Sequence, residues 1–282
     1  MKVVKQLIRN NLILSFAITP LYWYLSKKIY SIRRYKKNPS MPIGELNVFS
    51  KIYSQIKVIV DIGARYDVDY LLISQGNNIK YFLFEANPKF FRKLNDNLKY
   101  FSEDVTVENL AVSNKSGFCD YFEDSQSIVK NTSKGLEPKK PSAKVRMSRL
   151  DDYFLEKNLT QIDFLKSDIE MHDYFSLLCL GKLLDEILFI QIELGIDAEF
   201  ENGFVANTHY YELLEPIFHL YICKDENNSL WSHFGLEEDL VELSPRAKDF
   251  IAYAQKNGEG FNIFGVNKNR KSDLSELKIS NM

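Results

Sequence analysis

The sequence predicts an α/β protein built on a doubly wound, largely parallel sheet with helices on both faces. Strand-like apolar runs such as Val58-Ile59-Val60-Asp61-Ile62 and Tyr81-Phe82-Leu83-Phe84 alternate with segments of helical periodicity, the pattern of repeated strand-helix units. The first run turns at Gly63-Ala64 and the second ends on Glu85. A glycine where a strand must bend beneath a ligand, followed about 20 residues later by an acid able to hold ribose hydroxyls, is the spacing of a nucleotide-binding crevice.

The elements follow in order. Residues 1–40 carry nine Lys and Arg and no acid. Their apolar run from Leu12 to Leu25 is interrupted by Ser15, Thr19 and Pro20 and is flanked by basic residues on both sides. It is shorter than the roughly 20 apolar residues of a spanning helix, and no small-residue cleavage site follows it. With Tyr22-Trp23-Tyr24 at its end, it suits a segment lying in an anionic membrane surface. An amphipathic helix packed on the domain or across a dimer fits the same pattern, and no oligomeric state is assigned. The expected location is cytoplasmic, peripheral to the inner face of a membrane.

After a linker at Asn38-Pro39-Ser40, an α/β domain is expected over 41–270 and a polar tail over 271–282. Within the domain the periodicity predicts helices near 44–56, 69–75, 88–100, 150–157, 172–184, 209–218 and 245–255. Strands are predicted at 58–62, 80–85, 105–110, 144–147, 162–167, 187–194, 219–223 and 261–266. The polar stretch 125–142 reads as a loop able to close over an acceptor, where Lys139 and Lys140 would favour an anionic one. Trp231 and Tyr210 are candidates for stacking on a sugar ring, against the commoner reading as packing residues.

Composition narrows the function. Residues 41–282 hold 27 basic against 38 acidic residues, a net charge of −11, which argues against a general nucleic-acid binder. Cys119, Cys179 and Cys223 are odd in number and far apart, so neither a disulfide framework nor a zinc site is implied. Ligands of open α/β sheets sit at the carboxyl ends of the strands. Those ends supply Asp61, Glu85, Asn109, Asp168 with Glu170, and Glu193. Hard cations prefer such oxygen ligands, but no spacing demands a metal and none is expected.

Five stretches resemble the FkbM-type methyltransferases in order and spacing. They are Val60-Asp61-Ile62-Gly63-Ala64, Phe84-Glu85-Ala86-Asn87-Pro88, Asn109-Leu110-Ala111-Val112-Ser113, Ser148-Arg149-Leu150-Asp151-Asp152-Tyr153, and the block Ile162 to Asp173. The resemblance covers about residues 55–195, and its last two stretches are specific as a pair. It implies a seven-stranded Rossmann-like sheet and S-adenosylmethionine as cofactor, and a hydroxyl of a glycan, glycolipid or related metabolite as acceptor. Asp61, Gly63 and Ala64 would then lie beneath the methionine half, Glu85 on the ribose, and Asn109 with Ala111 near the adenine. Asp168 and Glu170 would face the transferred methyl and the acceptor, with Asp168 as first choice of base. His172 either shares that role, binds the acceptor, or caps and packs the helix it opens. Glu193 either contacts the acceptor or orients Asp168, Asp173 falls on the acceptor side, and Lys166 is expected to pair with a neighbouring acid.

The chain departs from this family at two points. Where the family's first loop usually reads Gly-Ala-Asn-x-Gly, Arg65 replaces the asparagine and Asp67 the second glycine. A positive φ at Asp67 would cost about 1 kcal/mol or more. In the late block Met171 replaces a glycine and Asp173 a glutamate. The alternative reading is a non-catalytic methyltransferase-fold module serving as a scaffold at a membrane. A nicotinamide dehydrogenase is disfavoured by the missing GxGxxG.

Overall fold

The computed structural model describes residues 43–99, 101, 103–122, 141–169, 172–194, 198–200, 203–205, 207–224, 238–243, 260–280 and a few positions between 249 and 257. Helix α1 (Ile43–Ile52) runs through a 3-10 turn, Tyr53–Gln55, into β1 (Val58–Ile62). There follow α2 (Asp69–Ile73), β2 (Lys80–Phe84), α3 (Pro88–Leu98) and β3 (Asp104–Glu108). Pro88 opens α3 where a missing N–H costs nothing, and the Asn87 side chain caps it by accepting from the Lys89 N–H at 2.8 Å.

The predicted strand over 105–110 is broken at Asn109. Its Nδ2 donates to the carbonyls of Glu85 and Ala86 at 2.8 and 3.0 Å, and the chain leaves the main sheet there. The next strands, β4 (Leu110–Val112), β5 (Gly117–Tyr121) and β6 (Ala143–Ser148), form a small separate sheet in the order β4-β6-β5. Then come α4 (Leu150–Glu156), β7 (Ile162–Ser167), α5 (Asp173–Leu178) and β8 (Ile187–Leu194). The helix expected over 172–184 stops at Leu178; a 3-10 stretch from Gly181, at φ +52°, leads into β8 instead.

The last elements are the hairpin β9 (Ala198–Phe200) and β10 (Gly203–Val205), α6 (Asn207–Leu214), β11 (Phe218–Cys223), β12 (Leu240–Glu242), β13 (Phe261–Asn267) and β14 (Ile279–Ser280). The segment read as a polar tail buries Leu277 and adds β14 to the sheet beside β12. Most of the 125–142 loop and of the 245–255 helix, together with the whole 1–40 segment and Trp231, lie outside the described residues. Among the described residues no helix is long and apolar enough to cross a membrane.

The main sheet has the order β14-β12-β11-β13-β8-β7-β1-β2-β3. Strands β8, β7, β1, β2 and β3 are parallel, and β13 is antiparallel to both β8 and β11. The seven strands from β11 to β3 are the expected sheet, and β12 and β14 extend it. Both faces are covered, as parallel strands require. One face packs Val60, Phe82, Leu165 and Ile190 under α4, α5 and α6. The other packs Ile59, Tyr81, Phe164 and Phe189 under α1, α2 and α3.

From β1 the chain winds outward to β3, then returns to place β7 on the other flank of β1. That reversal is a topological switch point, where the crossovers diverge and leave a crevice at the strand ends.

Candidate active site

At this crevice the carboxyl ends of β1, β2 and β7 surround a cavity of about 610 Å³, counting its open mouth. Of the residues singled out in the sequence, Gly63, Glu85, Ala111, Asp168 and His172 line it. Ile62, Phe84, Leu110, Val112 and Ile169 add apolar wall.

Gly63 has φ +83°, and a Cβ placed there would come within 2.0 Å of the Asp168 carbonyl oxygen. Only glycine satisfies both the left-handed backbone and that close approach. Its N–H and that of Ala64 both donate to the Phe84 carbonyl, at 2.9 and 3.1 Å, while the Asp168 N–H donates to Ile62. The turn after β1 is thereby fastened to the ends of both flanking strands. Ala64 is buried and takes part through its backbone.

The left-handed residue that follows is Arg65, at φ +53°, and not Asp67. The conformational objection to Asp67 therefore does not arise. Arg65 instead carries a cost of about 1–2 kcal/mol for a side-chain-bearing residue in this region. Its N–H donates to Glu85 Oε2 at 2.7 Å, and the Asn87 N–H donates to Oε1 at 2.6 Å. These bonds orient the Glu85 carboxylate and leave each oxygen a second lone pair for a ligand hydroxyl. Burial pushes the Glu85 carboxyl up to about 7, against the opposing pull of the two N–H donors.

Across the cavity, Asp168 accepts from Lys166 Nζ at 3.1 Å. Burial alone would raise its pKa. The Lys166 charge, a hydrogen bond from Glu193, the Lys166 bond and the charge of Arg65 outweigh that and hold the carboxyl below its ordinary value. Glu193 thus reaches Asp168 and does not line the cavity. His172 Nε2 lies 2.9 Å from the Ser113 hydroxyl, and its ring packs 5.2 Å from that of Phe175. Burial pulls its pKa down to about 4, so it is neutral at pH 7 and a weak proton acceptor.

Besides Ala64 and Glu193, three predicted site residues serve the walls and do not line them. Asp61 alternates with Ile62 along β1, so its side chain emerges on the opposite face of the sheet, beside Lys166 in register on β7. Lys166 Nζ is 3.9 Å from Asp61 Oδ1. Burial raises the Asp61 pKa to about 6, with Lys166 opposing and Asp168 and Asp67 adding to the rise. Asp173 is buried and accepts from Ser167 Oγ at 2.5 Å and the Ile169 N–H at 3.2 Å, closing the turn between β7 and α5. Asn109 holds the carbonyls after β2, as described above. Glu170 lies outside the described residues. Tyr210 is also a packing residue, its hydroxyl accepting from the Tyr174 N–H at 3.0 Å.

Sequence reasoning missed Tyr121 and Phe90 on the cavity wall. Tyr121 arrives on β5, whose only signal was the turn Asn114-Lys115-Ser116-Gly117.

The sequence matches the profile of the Methyltransferase FkbM domain over residues 61–219, more than half of the chain. The chain belongs to the FkbM methyltransferase family. None of the curated proteins compared with it matches. Solved structures with similar folds include TrmK of M. capricolum in complex with S-adenosyl-homocysteine, at 12% identity and TM-score 0.40, covering 82% of this chain and 70% of that one. A putative rRNA-methylase from Clostridium thermocellum is 10% identical with TM-score 0.43, covering 80% and 95%. Residues 942–1257 of StiE O-MT are 12% identical with TM-score 0.38, covering 79% and 71%.

The cofactor of FkbM methyltransferases is S-adenosylmethionine, and the cavity of this member fits it in chemistry. Glu85 offers acceptor positions for vicinal hydroxyls, and Ala86, Leu110, Ala111 and Val112 offer an apolar slot for a flat ring. Asp168 offers negative charge where a cationic centre would lie.

Proposed function

We propose that this FkbM methyltransferase methylates a hydroxyl group of a glycan, glycolipid or related metabolite. The observation that carries the reading is the placement of two oriented carboxylates, Glu85 after β2 and Asp168 after β7, on one cavity that runs beneath the β1 turn. When bound, S-adenosylmethionine supplies an electrophilic methyl group on a sulfonium centre.

The protein's part is positioning, which governs in-line displacements. Glu85 would hold the ribose hydroxyls through the lone pairs left free by the Arg65 and Asn87 N–H groups. The Leu110 to Val112 segment would hold the adenine. Asp168 would accept the proton of an acceptor hydroxyl. Lys166 keeps Asp168 ionised at neutral pH, and Glu193 orients it through the hydrogen bond between them. His172, neutral and tied to Ser113, shapes the wall between them.

Residues 1–40, with their basic flanks, bring this site to an anionic membrane surface, which suits a lipid-linked acceptor.

Calorimetric titration of the full-length protein with S-adenosylmethionine tests the reading, followed by an acceptor screen with Asp168→Asn beside wild type. Cofactor binding, with methyl transfer to a hydroxyl acceptor that collapses in Asp168→Asn, is expected. A folded protein that binds no cofactor would return the chain to the scaffold reading.

A further inference from the structure

We infer that Arg65 is a specificity-determining residue of this chain that binds the carboxylate of the cofactor's methionine half. The inference rests on the reading of the cavity as the S-adenosylmethionine site.

Charge is the first ground. Among the described residues that line the cavity, Arg65 is the only Lys or Arg, facing the two carboxylates Glu85 and Asp168. The cofactor is its complement, with two cationic centres, the sulfonium and the ammonium, and one carboxylate. Asp168 matches the cationic end and Glu85 the neutral ribose hydroxyls, so the cofactor's anion is left with Arg65.

Geometry is the second ground. The Arg65 N–H is fixed on Glu85 and its backbone is held in the left-handed region, so the residue is anchored in the turn after β1 while its exposed side chain lines the cavity. Its guanidinium carbon lies 5.6 Å from the centroid of Phe90, a wall residue, and 6.0 Å from that of Tyr66. A guanidinium against aromatic rings keeps its N–H edge for a planar anion. No described carboxylate forms an ion pair with it, although its charge reaches both Glu85 and Asp168 and lowers their pKa values. Lys93, the other cation nearby, lies 3.5 Å over the Tyr66 ring and does not line the cavity.

A strained left-handed arginine stands where the family's loop usually carries asparagine. A ligand contact accounts for retaining that side chain in a conformation asparagine adopts more easily.

The test is calorimetric titration of the full-length protein with S-adenosylhomocysteine and with its decarboxylated analogue, in wild type, Arg65→Asn and Arg65→Lys. Asparagine tolerates the left-handed backbone, so the loop is preserved in the first variant. Arg65→Asn should weaken S-adenosylhomocysteine by about tenfold or more, the range of charge-assisted hydrogen bonds. It should leave the decarboxylated analogue unchanged or slightly tighter, while Arg65→Lys should fall between. Equal weakening of both ligands would make Arg65 a support of the loop, and no change in either would turn its guanidinium toward the acceptor; each result overturns the inference. Wild-type protein that binds neither ligand would overturn the reading of the site itself.

Discussion

Glu85 and Gly63 show how single residues set the properties of this cavity. Because the Glu85 carboxyl titrates near 7 and ribose hydroxyls donate to its ionised form, cofactor affinity should rise as pH increases from 6 to 8. Glu85→Gln should flatten that profile and weaken binding by about tenfold at pH 8, as calorimetry across this range would read. Gly63→Ala meets a Cβ clash with Asp168 O on a φ of +83°. A loss of roughly 2–4 kcal/mol in denaturant unfolding is expected, combining backbone strain and steric displacement.

Asp173 gives a third test. Its folded pKa of about 7, raised by burial, exceeds the unfolded value near 3.9, so the fold holds a proton that the unfolded chain has released. That stability is complete below about pH 4 and is lost as pH rises through 7. Asp173→Asn should therefore gain on wild type across that window, by on the order of 2–4 kcal/mol between pH 4 and pH 8 in denaturant titrations.

The same residues show what the sequence revealed. Glycine after a strand and an acid some 20 positions on were readable as cavity residues, because the turn and the crevice impose those types. Asp61, at the end of the same strand, does not line the cavity. The two-residue period of β1 puts it with Ile59, away from the Ile62 side that faces the cavity, and that parity was already present in the sequence.

At the scale of elements, β1 and β7 form the centre of the site, joined on one face by Lys166 between Asp61 and Asp168. A buried cation flanked by two acids is stabilising only while all three are present. Lys166→Met should destabilise the protein by about 3–5 kcal/mol at pH 7, the range for breaking a buried pair. The deficit should shrink at pH 5 as the carboxyls take up protons, which unfolding curves at the two pH values would show.

Strands β1, β7 and β8 match their predicted ranges because continuous apolar runs bounded by turns belong to strands buried on both faces. The break at Asn109 and strand β5 were hidden for the opposite reason. One depends on a side chain bonding carbonyls 23 and 24 residues away, and the other is a half-exposed strand without alternation. Strand β14 was obscured by the polar residues around Leu277 and Ile279.

For the whole molecule, the contrast between the basic 1–40 segment and the acidic remainder predicts oriented, salt-sensitive attachment to anionic lipid. Full-length protein should cosediment with phosphatidylserine-containing vesicles at low ionic strength and be released at high salt. Replacing Lys27, Lys28, Arg33 and Arg34 by glutamate should abolish the binding without changing cofactor affinity.

The sheet order also has a kinetic consequence. Asp163, at the start of β7, accepts from the N–H groups of Lys57 and Val58 across 106 and 105 residues of chain, so β1 lacks its second neighbour until more than half of the protein has been synthesised. Such non-local pairing slows folding. Refolding of this methyltransferase should accordingly be slow beside that of a helical bundle of similar length, as stopped-flow refolding would show.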